Sequence, residues 1–237
     1  MSSALASFTS DIYITNSDTD IISRRWCQEG PMARKSGVKA IAARPRRGSP
    51  EQTRERLITA AADQFNRFGY HGTDSNTIAK EAGYATGTFY KHFRDKLEIF
   101  LAAYDRWLAA QWKEIGDTLS EMRNARETAR LLVDVSIKFH TEWRGLRASL
   151  MELVFSDPEA RKFFRAQRRR QLDLIVELRT RFALPARTSE QDAIHLYMTE
   201  RVYDAIGQGE IQSLGLDRGA VVETMVERVR ELLERGD

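Results

Sequence analysis

Between Gly69 and Phe100 the chain reads GYHGTDSNTIAKEAGYATGTFYKHFRDKLEIF, and its polar residues are of the kinds that bind phosphates and base edges. The hydroxyls of Thr86, Thr88 and Tyr90 can donate to phosphate oxygens, Lys91 adds a point charge, and His92 can donate or accept. Gly87 has no side chain and leaves room for a nucleic-acid backbone. Lys96 falls in the first turn of what reads as the next helix, where a cation opposes the helix dipole. That cost predicts a second use, a phosphate contact. Upstream, residues 32–54 set Arg34, Lys35, Lys39, Arg44, Arg46, Arg47 and Arg54 against Glu51 alone. A short basic arm of this kind attracts phosphates by releasing their counterions.

Other chemistries lack a constellation. The histidines, His71, His92, His140 and His195, are scattered without metal-ligand spacing. No phosphate-binding loop and no Gly-x-Ser-x-Gly elbow occurs, and Cys27 is the sole thiol, so no internal disulfide can form. An enzyme is therefore not expected, and no cofactor is implied. A ligand pocket has better support: His140 and Trp143 lie close to the apolar face of one helix, Glu152 sits in a short apolar segment, and Tyr197 lies further on. These four are the candidate ligand contacts. Arg168, Arg169 and Arg170 could meet an anion, but successive residues point different ways around a helix, so a solvated face is expected.

These groups need elements to position them. Ser49-Pro50 and Gln52 read as a helix start, Leu57, Ala61, Phe65 and Phe68 recur at helical spacing, and Gly69 stops the run. Two short helices follow, over 75–82 and 86–93, separated by Gly83; alone they are too short to be stable, so they must pack on the first. Asp95 caps a long helix carrying Leu97, Phe100, Leu101, Tyr104, Leu108, Trp112 and Ile115, expected to end near Gly116. Helices are then expected over 124–143, with Leu131, Leu132, Val135, Phe139 and Trp143 on one stripe, over 146–155, and from Asp157 to about Phe182. Another follows Ser189, with Ile194, Tyr197, Met198 and Arg201 on one side, and a last one carries Val222, Met225, Val226, Val229 and Leu233; these two helices are expected to form a four-helix interface with a second copy. No alternating strand pattern appears, so the class is all-α. The domains read as a disordered basic extension over 1–48, a helix-turn-helix DNA-binding domain over 49–96 with its motif at about 74–93, and a helical ligand-binding and dimerisation domain over 97–237. Met32 is a second candidate start.

The stretches LITAAADQFNRFGYHGT, TIAKEAG, GTFYKHF and RDKLEIF together resemble the N-terminal domain of the TetR family of bacterial transcription regulators, without insertion from Gly69 to Phe93. The resemblance implies a three-helix DNA-reading unit, a homodimer on a palindromic double-stranded operator, a C-terminal domain holding a small-molecule effector, cytoplasmic location, and repression relieved by that effector. It implies phosphate contacts from Thr73, Tyr90 and Lys96, groove-facing roles for Thr86, Thr88, Lys91 and His92, and an adjacent minor groove for Arg46 and Arg47. Three residues depart from the pattern. Ser75 replaces an apolar residue, Ala85 a capping Ser or Thr, and Thr86 a position that is often basic. The alternative reading is a DNA-binding regulator whose C-terminal domain only dimerises or binds a protein.

Net charge is only +3, with 42% hydrophobic and 30% charged residues, the balance of a water-soluble globular chain. No run of about 18 apolar residues exists, so no membrane association is expected.

Overall fold

A computed structural model describes residues 49–122 and 124–234. The expected extension over 1–48, with Arg46, Arg47 and Cys27, lies outside the described residues. Within them the chain forms ten α-helices and no strand, so the fold is all-α. They are α1 (Pro50–Phe68), α2 (Ser75–Glu81), α3 (Thr86–Phe89), α4 (Lys96–Ser120), α5 (Ala125–Glu142), α6 (Arg144–Ser156), α7 (Pro158–Arg181), α8 (Ser189–Gly207), α9 (Glu210–Ser213) and α10 (Arg218–Glu234). None is long and apolar enough to cross a membrane.

The helix starts follow from local chemistry. Ser49, Asp74, Asp95, Asn124, Asp157 and Thr188 each accept a hydrogen bond from a backbone N–H of the first turn. Thr188 and Gln191 form a reciprocal capping box. Gly69 ends α1 at φ 73°, a conformation costly for a residue with a Cβ. Two expectations fail in the long helices. First, α4 runs straight through Gly116 to Ser120, since one glycine inside an apolar-striped helix costs only about 1 kcal/mol. Second, of the stripe expected on α5 Phe139 and Trp143 are buried and Leu132 partly so, but Leu131 is 54% exposed, and Ala129, Val133, Ser136, Ile137 and His140 fill the rest of the buried face. The true face follows i, i+4, i+7 from Ala129, and Leu131 lies off it.

Partners of that stripe come from α8 and α10. Ala129, Val133 and Ile137 pack with Tyr203, Ile206, Val222, Met225, Val226 and Val229. The apolar face of the last helix, expected to meet a second copy, is thus consumed within the chain.

Two junctions tie the first three helices to the rest. The side chain of Asn66 on α1 accepts from the backbone N–H of Gly145 (3.0 Å) and Leu146 (3.2 Å), and donates to the carbonyl of Glu142 (2.6 Å). The N–H of Tyr70 donates to the Ser149 hydroxyl at 3.0 Å. This approach is so close that a Cβ on Gly145 would lie 2.0 Å from the Asn66 carbonyl oxygen. Gly145→Ala should therefore lower the unfolding free energy by about 1–3 kcal/mol, read as an earlier urea midpoint. A midpoint equal to that of the parent chain would contradict the contact.

A charged cluster fills the interior between α4, α5, α6, α7 and α8. The Arg147 guanidinium, 4% exposed, grips Asp204 through two hydrogen bonds of 2.7 and 2.9 Å and donates to the Tyr104 hydroxyl at 3.3 Å. Glu200 lies 3.6 Å from Arg147 and 2.5 Å from Arg168, and His140 Nδ1 stands 2.8 Å from Asp204. Burial pushes the Asp204 carboxyl up, but hydrogen bonds from His140 and Arg147 outweigh it and hold the group well below the usual range. Burial likewise raises Glu200, and the charges of Arg147 and Arg168 bring it below its ordinary value. For His140, burial lowers the pKa by more than its bond to Asp204 raises it. All three groups take up protons more readily in the unfolded chain. Their contribution is complete at neutral pH and is lost on acidification, His140's from about pH 6.5 and the carboxylates' from about pH 4. The urea midpoint should fall between pH 7 and 5, and His140→Gln should flatten that slope; an equal slope in both proteins would rule out His140 as the titrating group.

Candidate nucleic-acid interface

Asp74 starts α2 by accepting from the N–H of Thr77, and the fully buried Ile78 and Ala79 fix that helix against α1. The helix closes through paired backbone bonds, Gly83 N–H to Lys80 O (3.0 Å) and Tyr84 N–H to Ala79 O (2.9 Å), with Gly83 at φ 82°. This pattern turns the chain sharply and places the next helix across the first. Ser75, which stands where the family pattern has an apolar residue, is 8% exposed and sits within the trio.

The second short helix is shorter than expected: regular α geometry covers Thr86–Phe89 rather than 86–93. Beyond Phe89 the N–H groups of Lys91 and His92 bond three residues back, to Thr88 and Phe89, before Phe93 returns to an i−4 bond. Tightened last turns are common where few carbonyls remain to be satisfied. Ala85 gives no side-chain cap, as its departure from the family pattern implies. The rod is anchored instead by Phe89 (0% exposed) and Phe93 (1%).

Around these anchors the polar residues divide. Gly87, Tyr90 and Lys91 are exposed, Tyr90 by 56%, while Thr86, Thr88 and His92 are half-buried. A Cβ on Gly87 would meet nothing within 4 Å, so the fold does not require glycine there. The Thr86 hydroxyl donates to the Asn76 side-chain oxygen at 2.9 Å, linking α3 back to α2. No acidic residue occurs from Ala82 to Phe93, and Lys80 extends the basic character onto α2. Glu51 in the first turn of α1 lies close enough to His92 to feel its charge, and the Arg54 guanidinium stacks 4.9 Å over Phe93. The start of α1 therefore flanks α3. Asn76 and Lys80 escaped the sequence reading, because only the turn at Gly83 brings them beside α3; Arg54, expected in the basic arm, stands on the first turns of α1.

Two expected phosphate contacts have other surroundings. The Lys96 ammonium donates to the carbonyls of Tyr70 (2.9 Å) and Thr73 (3.1 Å) and lies 4.2 Å over the Tyr70 ring. Burial lowers its pKa. These bonds fasten the turn between α1 and α2, a use that offsets the poor place of Lys96 in the helix dipole. Thr73 is 7% exposed, and its enclosed hydroxyl meets no hydrogen-bond partner among the described residues.

The four candidate ligand contacts are not brought together. His140 and Trp143 are buried, at 1% and 8% exposed, and His140 is engaged by Asp204. Glu152 is exposed beside His71 (3.4 Å), and Tyr197, 53% exposed, flanks Arg168 on α8. The arginine triplet splits as helical geometry requires: Arg168 turns inward to Glu200, Arg169 faces outward, and Arg170 meets Asp105 at 3.1 Å. Along α8, Ile194 (57%), Tyr197 and Met198 (55%) leave an apolar stripe exposed.

Comparison with known proteins agrees with this geometry. Residues 57–103 match the family model described as bacterial regulatory proteins, tetR family. The chain is 30% identical over 110 residues to the HTH-type transcriptional activator FasR of Mycolicibacterium smegmatis, an alignment covering 45% of this chain and 50% of that protein. It is 31% identical over 121 residues to the HTH-type transcriptional regulator AcrR of Shigella flexneri, covering 48% and 53%. The aligned part thus spans about half the length of these curated relatives. Among solved structures, the transcriptional regulator FadR from Bacillus subtilis in complex with stearoyl-CoA superposes with a TM-score of 0.56 at 19% identity, over 77% of this chain and 99% of that one.

Proposed function

We propose that this chain, whose residues 57–103 match the tetR-family model, is a homodimeric transcription regulator that inserts α3 into the major groove of a palindromic duplex. The observation that carries the reading is the division of α3 itself. Phe89 and Phe93 face inward while Gly87, Tyr90 and Lys91 stand outward, within a stretch, Ala82 to Phe93, that carries no acidic residue. A helix-turn-helix reads DNA with this second helix. Selection of bound DNA from random duplexes tests it: a palindromic consensus is expected, and no enrichment at low ionic strength would end the proposal.

Two substitutions sharpen the assignment. Lys91→Ala should weaken binding to all duplexes alike and reduce the log–log salt slope by about one. Gly87→Ala should leave the melting temperature at or slightly above that of the parent, since the added methyl meets open space. It should still cost duplex affinity, because that methyl would stand where the DNA backbone approaches. Fluorescence anisotropy measures both, and full affinity in Gly87→Ala would remove α3 from the interface.

The dimer contact is assigned to the exposed stripe Ile194, Tyr197 and Met198 of α8, whose neighbour α10 packs inward. Met198→Glu should shift light scattering at micromolar concentration to the monomer mass. Repression relieved by a small molecule, and a fatty-acyl effector of the kind bound by the structurally similar FadR, belong to the same proposal. The alternative, a C-terminal domain that serves only for assembly, is favoured by the charged cluster occupying the interior around Arg147. A thermal-shift series separates the two, since an effector in excess raises the melting temperature.

A further inference from the structure

One groove outside that interior joins the DNA-reading helices to the rest. It measures about 290 Å³ and lies between the start of α1, the middle of α4 and the middle of α7. Leu101, Ala102, Phe163 and Ala166 give it an apolar side, and Arg54, Arg170, Asp105 and Gln167 complete its lining. The two arginines differ in circumstance. Arg170 is answered by Asp105 at 3.1 Å, whereas Arg54 has no carboxylate partner among the described residues and only stacks on Phe93.

Helix geometry places more positive charge along one bank. At 100° per residue, Lys162 and Arg169 lie about 40° and 60° from Ala166 on the bank away from Phe163, with Arg165 about 100° from Ala166 further round α7. All three are exposed, and none has an ion-pair partner among the described residues. An apolar trough bordered by unanswered cations is complementary to an amphiphile with a single narrow chain and an anionic head. The volume lies at the lower end of the range of about 300–1,000 Å³ for small-ligand sites, which fits a medium-length chain and not a bulky ring system.

We propose that this groove binds a medium-chain amphiphilic anion, its chain on Leu101, Phe163 and Ala166 and its head group taken by Arg54 and the α7 cations. The regulatory consequence rests on the DNA-binding reading above. Arg54 supports Phe93, one of the two anchors of α3, so a head group that draws the guanidinium away loosens the recognition segment from outside.

Titration calorimetry on the full chain tests the site, with decanoate below its micelle concentration as the probe and decylammonium as the charge-reversed control. Saturable binding of one decanoate per chain is expected, with none of decylammonium. Arg54→Gln should weaken it about tenfold or more, the scale of one charge-assisted hydrogen bond. Ala166→Trp, which fills the trough from its exposed side, should abolish it while leaving the ligand-free melting temperature intact. Absence of saturable heat, equal binding of decylammonium, or undiminished binding in Ala166→Trp each overturns the site. Duplex affinity is read separately on the same preparations. Saturating decanoate should change it in the parent chain and not in Arg54→Gln, and an unaffected duplex affinity overturns the regulatory step alone. Failure to bind duplex without ligand removes the regulator reading and leaves the groove's ligand class standing.

Discussion

Arg147→Ala is expected to lower the unfolding free energy by about 3–5 kcal/mol, the loss found when one member of a buried ion pair is deleted. The magnitude follows from what stays behind. Asp204 loses two hydrogen bonds, of 2.7 and 2.9 Å, and Glu200 loses one of its two arginines. Asp204 would then keep only His140 as a partner and Glu200 only Arg168, and a buried charge left without its main counter-ion costs more than the pair contributed. The Tyr104 hydroxyl, 4% exposed with its residue, loses its donor as well. Urea unfolding of parent and variant at pH 7 measures the effect, and a double-mutant cycle with Asp204→Asn isolates the pair. A loss under 1 kcal/mol would mean that water enters the cluster and screens it. The damage should not stay local. Arg147 follows Gly145 by two residues on α6, and Gly145 is locked to Asn66 of α1, so one cooperative transition that moves as a whole is expected.

The same network shows where sequence reading reached its limit. Three of the capped helix starts are legible, because a cap is a contact between residues about three apart, and Ser49, Asp95 and Asp157 act as expected; the caps Asp74, Asn124 and Thr188 lie outside that reading. The three-helix DNA-reading unit was legible for the same reason: its turns hang on Gly69 and Gly83, and its anchors lie within a few residues of each other. Contacts across 57 to 80 positions were not. Nothing in the local pattern pairs Arg147 with Asp204 or Asn66 with Gly145. His140 was singled out as a ligand contact because a histidine near an apolar face looks spare; it is taken up by Asp204, 64 residues away. Lys96 was read correctly as out of place in its helix, but its real partners are carbonyls of the preceding turn. The stripe of α5 failed differently. Leu131 and Leu132 are more apolar than Ala129 and Ser136, yet the smaller residues are buried. Close helix packing against α8, where a Cβ on Gly207 would meet the His140 carbonyl at 2.8 Å, selects small side chains over hydrophobic ones.

The largest loss of DNA binding without a change at the binding surface is expected from Phe89→Ala. The residue contacts no DNA in the proposed complex, being 0% exposed. Yet α3 has four residues, no side-chain cap and one buried side chain within its regular turn. Truncating a buried phenylalanine costs about 3–5 kcal/mol where the surroundings stay in place. Here they need not, since a four-residue helix has almost no intrinsic stability to resist loosening. The cost should fall first on the order of α3, with α4 to α10 still held by their own contacts. A recognition segment populated in its binding form for a fraction of the time lowers apparent affinity by that fraction. With each 1.4 kcal/mol worth a factor of ten, a loss of about a hundredfold or more is reached while most helical circular dichroism is retained. Anisotropy with a selected duplex and a thermal melt of the same sample measure the two effects together. Near-parent affinity in Phe89→Ala would show that α3 is not the reading element, whatever its exposed residues suggest.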